Sequence, residues 1–457
     1  MQGEPDGASR RTPIKETAET QRAGYGAAGA LWMRMPLIFY LCSLVAAVGA
    51  ALMLHGLHPQ TIGDLSNLMG PLAESVAHGR GYMVCTDAMT VQGNVLCSHA
   101  SRMPLPPLLL AALVRIFHGN SLAIELVKIG LVLLPVAAAV ALVQKNSGKA
   151  STPAVGMIVA AMLFLSLILP TQLIDVVNMQ VEEGYSFCLL TYAVAVLLFG
   201  VRDKTIGWRT AILFALSVAA LYLTKSSMVA AAAFLVFIFC YQIRDGRKRL
   251  AVVLLAACGP VGWGLYTWHA SGRFSIGTSL DGMNLHKGNY AEFLERYPPA
   301  DGGSLDRYDQ GLNQGKFFRN EWKFNAYHMH AAESYMVSHP VATLHAACVK
   351  AWIFFFSLRK IGSEQYSGVM GRITEIDMVL FRLLLWGACG VALWLLVRGQ
   401  APERWAAVIY LGTAATVAAP YLAGFALTRH AGVLTLPSAL FLGWWMIAFR
   451  QHSEQLG

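Results

Sequence analysis

The sequence predicts an all-α polytopic membrane protein, a bundle of about ten transmembrane helices with interfacial helices and an extracytoplasmic cap. Three observations carry that expectation. Only 13% of the 457 residues are charged and 56% are hydrophobic, whereas soluble domains carry roughly 25% charged residues. Apolar stretches close to the roughly 20 residues that span a bilayer recur along the chain. Basic residues gather in every second turn between them, which is the bias that marks cytoplasmic loops.

Taken in order, the expected spans lie near 35–55, 121–143, 152–170, 184–200, 208–225, 227–243, 250–269, 376–397, 405–425 and 431–449. Arg10, Arg11, Lys15, Arg22 and Arg34 precede the first, and Lys145 and Lys149 follow the second. Arg202, Lys204 and Arg209 separate the fourth from the fifth, the turn RDGRKR at 244–249 separates the sixth from the seventh, and Arg398 and Arg404 follow the eighth. With ten spans all these turns fall on one side, so both termini are expected in the cytoplasm. The net charge of +9 is therefore read as topological, and no nucleic-acid partner is expected.

Four regions result. Residues 1–34 are polar, lack periodicity and read as a disordered cytoplasmic tail; the first apolar run starts too late and is too long for a cleaved signal peptide. Residues 35–270 form an N-terminal transmembrane module that includes an outer loop at 56–120. Residues 271–375 form a second outer segment with an interfacial helix, and 376–457 the last transmembrane helices and a short tail. Two apolar stretches, 104–118 with Arg115 and 341–358 with Lys350, are too short to cross comfortably and are placed along the outer face.

Eight cysteines are present. Six lie in or beside apolar segments and read as small buried side chains. Cys85 and Cys97 both fall in the first outer loop, where an oxidising compartment permits a bridge. Closing so short a loop stabilises it by up to about 3 kcal/mol. Zinc binding by Cys97 and His99 lacks an accompanying ligand set.

Burying one ionised side chain at the bilayer centre costs roughly 2.5–3.5 kcal/mol on insertion scales. The charges near the spans gather instead at their outer ends. Asp64 follows the first span, and Glu125 and Lys128 open the second. Glu182 and Glu183 open the fourth, Lys225 ends the fifth, Arg429 and His430 lie between the last two, and Arg102 sits in the first outer loop. Each has an ordinary alternative: Lys225 as a snorkelling side chain, Glu125 and Lys128 as a private ion pair, Glu182 and Glu183 as helix N-terminal acids, Arg429 as an anchor and Asp64 as an N-cap. Shared depth is what marks them as a set.

Several stretches together resemble the GT-C superfamily of polyprenyl-phosphate-sugar-dependent glycosyltransferases, in the branch of protein O-mannosyltransferases and the lipid A aminoarabinose transferase. Asp64 stands where that family opens its first outer loop with an acidic residue. LAESVAHGRGY (72–82), RMPLPPLLLAALVRIFHGNS (102–121), QVEEGYSFCLL (180–190), ALYLTKSSM (220–228), DGMNLHKGNY (281–290), AAESYMVSHPVATLHAACVKAWIFFF (331–356) and TRHAGVLTLPSALFL (428–442) are similar to successive family segments. The order runs from 35 to about 445. Leu65 follows Asp64 where many members have a second acid, and His430 stands where an aromatic, often Tyr, is common.

The resemblance implies an inverting transferase. A polyprenyl-phosphate-linked sugar in the outer leaflet would be the donor, and a cell-envelope glycan, lipid or protein the acceptor. It places Asp64 as the base, Glu183 as a group that positions the acceptor or assists a metal, and Arg102, Lys225 and Arg429 on the donor phosphate. No cofactor is assigned, and a divalent metal is left open. The expected location is a bacterial inner membrane with the active site in the periplasm. Trp268, Tyr290, Tyr297, Trp322 and Tyr327 are candidates for stacking on sugars or for plain packing. A secondary transporter or lipid flippase is the competing class; transporters place ionisable groups near the midplane and often show inverted repeats, neither of which stands out here.

Overall fold

In the computed structural model, the described residues are 34–55, 68–86, 96–147, 153–179, 181–201, 205–296, 312, 318, 320–358 and 368–456. Asp64, Tyr297 and most of the 1–34 tail lie outside them.

The chain is an all-α polytopic membrane fold. Its helices run in chain order as α1 Met35–His55, α2 Met69–Ala77, α3 Leu105–Ile116, α4 Ser121–Ser147, α5 Pro153–Leu167, α6 Pro170–Val177 and α7 Glu183–Ala195. They continue as α8 Trp208–Thr224, α9 Val229–Gln242, α10 Gly246–Ser271, α11 Asp281–Lys287, α12 Glu321–Ser338, α13 Pro340–Phe355, α14 Gly368–Arg398, α15 Ala401–Ala423 and α16 Thr435–Leu456. Every expected span is a helix. Among the described residues, seven helical segments are long and apolar enough to cross a membrane alone, and an eighth is the bent pair α5–α6, which turns by 71°. The remaining two, α8 and α9, have 17 and 14 residues. At about 1.5 Å per residue each falls short of a hydrocarbon core of about 30 Å, because the helical ladder breaks between them at Lys225.

α7 sits at the centre, packed against α4, α8 and α16. It is apolar on all sides after its acidic start, the pattern of a helix surrounded by protein, and nearly all of its residues are buried. The peripheral helices instead expose large apolar side chains, among them Leu41, Phe237, Leu254 and Trp394, as a lipid-facing surface requires.

Buried cations close three helix ends. A helix C-terminus leaves carbonyls unpaired, which is costly away from water. Lys128 Nζ donates to the carbonyls of Val176, of Val177 at 3.3 Å and of Asn178 at 3.1 Å at the end of α6. Lys350 Nζ donates to Gly288, Ala423 and Gly424 at 3.1, 3.3 and 2.8 Å, closing α15. Arg382, midway along α14, donates to Ile353 at 3.0 Å, to Phe354 and to Ser357 at 2.9 Å, so α13 ends against the middle of α14. The Lys128 ammonium, one turn from Glu125, gives these hydrogen bonds to helix-end carbonyls.

The outer segments fold over one end of the bundle. A two-stranded antiparallel ribbon, β1 Val84–Thr86 with β2 Leu96–Ser98, pairs Cys85 with Cys97 in register, and the two are joined by a disulfide. Buried Glu321 at the start of α12 grips the ribbon. It accepts from the Ser98 hydroxyl and from the amides of His99 and Ala100, each at 3.0 Å. α11 meets the end of α15 so closely that a Cβ on Gly288 would lie 1.7 Å from the Gly424 carbonyl oxygen; no other residue type fits there.

Candidate active site

Four of the five residues expected at the site are described, and they converge. Lys225 Nζ donates to Glu183 Oε1 at 2.7 Å and lies 4.0 Å from Glu182 Oε2. Arg102 Nη1 is 3.5 Å from Glu182 Oε1, and Arg429 Nε is 3.9 Å from Glu183 Oε1. Asp64, the fifth, lies outside the described residues.

Helix ends deliver Glu183 and Lys225, and a loop delivers Arg102. Glu183 occupies the first turn of α7, where the unpaired amides favour an anion. The corner before it is tight: a Cβ on Gly184 would meet the Asp175 carbonyl oxygen at 2.3 Å. α6, which sets that corner, is held at both poles, with Asp377 accepting from the Thr171 amide at 2.9 Å and Lys128 closing its other end. Such charges complement the helix dipole.

Lys225 follows the last residue of α8 with extended backbone (φ −156°, ψ 126°), and a short 3₁₀ turn at Ser226–Met228 leads into α9. The break lifts Lys225 out of the helical ladder and points its chain at α7. Thr224 and Ser186 hydroxyls meet at 3.0 Å and fasten the two helix ends together beside the ion pair. Lys225 Nζ also lies 5.7 Å from the centre of the Tyr421 ring, within cation–π reach.

Arg102 arrives from the loop after β2. The Tyr82 hydroxyl donates to its carbonyl at 3.0 Å and to that of Met103 at 3.2 Å, and the Tyr266 hydroxyl holds the Tyr82 carbonyl at 2.8 Å. Burial pushes the Tyr82 phenol well above its ordinary value, so it stays a donor. Arg429 belongs to the helical turn Thr428–Ala431 after α15.

Sequence reasoning did not single out Tyr421 or Asp281 as neighbours of these charges. Asp281 accepts from the Thr278 amide at 2.8 Å, the Thr278 hydroxyl at 2.7 Å and the Ser226 hydroxyl at 2.8 Å. It thereby ties the second outer segment to the residue after Lys225. Burial pushes its carboxyl above the ordinary range, against the pull of those hydrogen bonds. Neither residue carries a sequence pattern that marks it. The aromatic candidates divide: Tyr290 and Trp322 are buried, and Trp322 donates to the Ser271 hydroxyl at 2.6 Å beneath the Arg273 guanidinium, which is a packing role. Trp268 is exposed.

Among the described residues, three cations face two carboxylates, so the cluster carries one positive charge in excess. Arg guanidinium groups present paired donors that match a phosphate, and a lysine adds a compact charge. The arrangement can bind an anion at one end of the bundle. Among the described residues no three His, Cys, Asp or Glu side chains gather as a metal site would require, and both site carboxylates are engaged by cations.

No family model matches the sequence, and no curated protein matches it. Solved structures do. The archaeal oligosaccharyltransferase AglB from Archaeoglobus fulgidus, in complex with an inhibitory peptide and a dolichol-phosphate, is 13% identical with a TM-score of 0.46; the match covers 89% of this chain and 50% of that one. ArnT from Cupriavidus metallidurans in the apo state is 13% identical with a TM-score of 0.39, over 89% of this chain and 78% of that one. The chain thus spans about half the length of the archaeal protein.

Proposed function

We propose that this chain is an inverting membrane glycosyltransferase of the GT-C kind, which moves a sugar from a polyprenyl-phosphate donor to a hydroxyl acceptor on the extracytoplasmic face. The observation that carries the reading is the convergence of Arg102, Lys225 and Arg429 on Glu182 and Glu183 at one end of the bundle. The family resemblance assigns the three cations to the donor phosphate and Glu183 to positioning the acceptor or assisting a metal.

In this reading the acceptor oxygen attacks the anomeric carbon while the bond from that carbon to the phosphate oxygen breaks. The bonding pair leaves with the phosphate, and the acceptor proton passes to the Asp64 carboxylate. Phosphate is already a good leaving group, so the protein's main task is to stabilise its growing charge with fixed cations. Glu182 and Glu183 hold those cations in place before the donor arrives, and Glu183 positions the acceptor. The basic turns at the far ends of the helices support an extracytoplasmic site, and a bacterial inner membrane is the location that the resemblance suggests.

The test is a transfer assay with purified protein and a panel of undecaprenyl-phosphate sugars, supplied with envelope extract as a source of acceptors. Wild type is run beside Asp64→Asn, and release of undecaprenyl phosphate is followed. Release that depends on Asp64 is the expected outcome. Equal turnover by a well-folded Asp64→Asn protein removes the base assignment, and no release from any donor moves the weight to transport.

A further inference from the structure

His430 departs from the aromatic residue that the resembled family often has, and its surroundings give it a chemistry an aromatic lacks. Its ring stacks on Tyr421, with centroids 4.1 Å apart and planes 22° apart, and meets Phe425 edge-on at 5.9 Å. It is buried, and the charges it faces are Lys225, Arg429 and Glu183. The ring therefore lies beside the charge cluster, stacked on the same Tyr421 ring that the Lys225 ammonium approaches.

Its tautomer follows from one contact. The Leu427 amide donates to His430 Nδ1 at 3.1 Å. A backbone N–H can only donate, so Nδ1 is the acceptor and Nε2 carries the proton. A second proton on Nδ1 would break that bond and add a further cation beside Lys225 and Arg429. Among the described residues the hydrogen bond shown for the ring is the one from the Leu427 amide, and it meets Nδ1 and leaves Nε2–H to point elsewhere. The ring is thus a neutral donor with one hydrogen bond still to give.

We propose that His430 donates its Nε2–H to the phosphate of the lipid-linked donor, as a neutral partner beside the cations Arg102, Lys225 and Arg429; this rests on the transferase reading above. A neutral donor adds a hydrogen bond without adding repulsion between cations. The bond strengthens as charge grows on the departing phosphate, and the proton stays on nitrogen throughout.

The experiment measures binding of undecaprenyl phosphate in detergent micelles, with transfer kinetics alongside, for wild type, His430→Gln, His430→Asn and His430→Phe. Glutamine places an N–H donor near the position of Nε2. Asparagine retains only the acceptor for Leu427, and phenylalanine retains only the stack. Expected are near-normal binding for His430→Gln and a loss of about tenfold or more for His430→Asn and His430→Phe. Wild type and His430→Gln should share one pH profile between pH 6 and 8. Wild-type binding retained by both His430→Asn and His430→Phe overturns the proposal. So does an acid-side rise in wild type that His430→Gln lacks, since that would report an imidazolium. If wild type itself binds no polyprenyl phosphate, the transferase reading fails and His430's role fails with it.

Discussion

Lys225 and Glu183 meet at 2.7 Å although they are 42 residues apart and belong to different helices. Neither helix is complete at that point: α7 begins with the carboxylate and α8 has just ended before the ammonium. The pair is thus a junction between two broken ends, and it is where Glu182, Arg102 and Arg429 also arrive.

Glu183→Gln removes the partner of two cations while keeping side-chain shape. Breaking a buried ion pair on one side costs about 3–5 kcal/mol. The expected result is a clear fall in the thermal midpoint together with loss of transfer. A normal midpoint with normal kcat would show that the pair neither supports the fold nor serves the site.

Gly184→Ala tests the corner between α6 and α7. The added methyl must displace the Asp175 carbonyl, which it would approach to 2.3 Å, and overpacking of this kind costs about 1–3 kcal/mol. Because the shift moves Glu182 and Glu183, donor KM should rise more than stability alone explains. Transfer kinetics at a temperature where both proteins are folded make the comparison.

Asp281 gives the stability a pH dependence. Its folded carboxyl is raised by burial, so its protonated form is favoured in the fold. The stabilisation is full below the ordinary carboxylate value of about 3.9 and is lost as pH rises through the raised value. Asp281→Asn stays neutral and should flatten the midpoint between pH 4 and 7 where wild type declines. Parallel curves for the two proteins would remove Asp281 as the source.

The disulfide between Cys85 and Cys97 predicts protection from thiol labelling until reductant is added. The ribbon leads directly to Arg102, and Glu321 and Tyr82 hold the same stretch by other bonds. Cys85→Ala with Cys97→Ala should therefore lower the midpoint by about 2–3 kcal/mol in stability and weaken donor binding only modestly. Equal labelling with and without reductant would refute the bridge.

The all-α membrane class and the positions of the ten expected spans were legible in the sequence, whereas the 18-residue helix Glu321–Ser338 in the polar segment was not. Apolar runs and basic turns are local signals, set by what a bilayer and its cytoplasmic face demand of each segment in isolation. The candidate charges Glu183, Arg102, Lys225 and Arg429 were legible for the same reason: an ionisable residue beside a membrane span stands out against apolar neighbours. What only the tertiary structure decided is which of them touch. Lys128 and Lys225 look alike in sequence, each a lysine near one terminus of an apolar run. Packing sends one to the carbonyls ending α6 and the other to Glu183. The same holds for His430, whose tautomer depends on the Leu427 amide and whose stacking depends on Tyr421. A charge announces itself by its cost in lipid, but its partner depends on where distant helix ends come to rest.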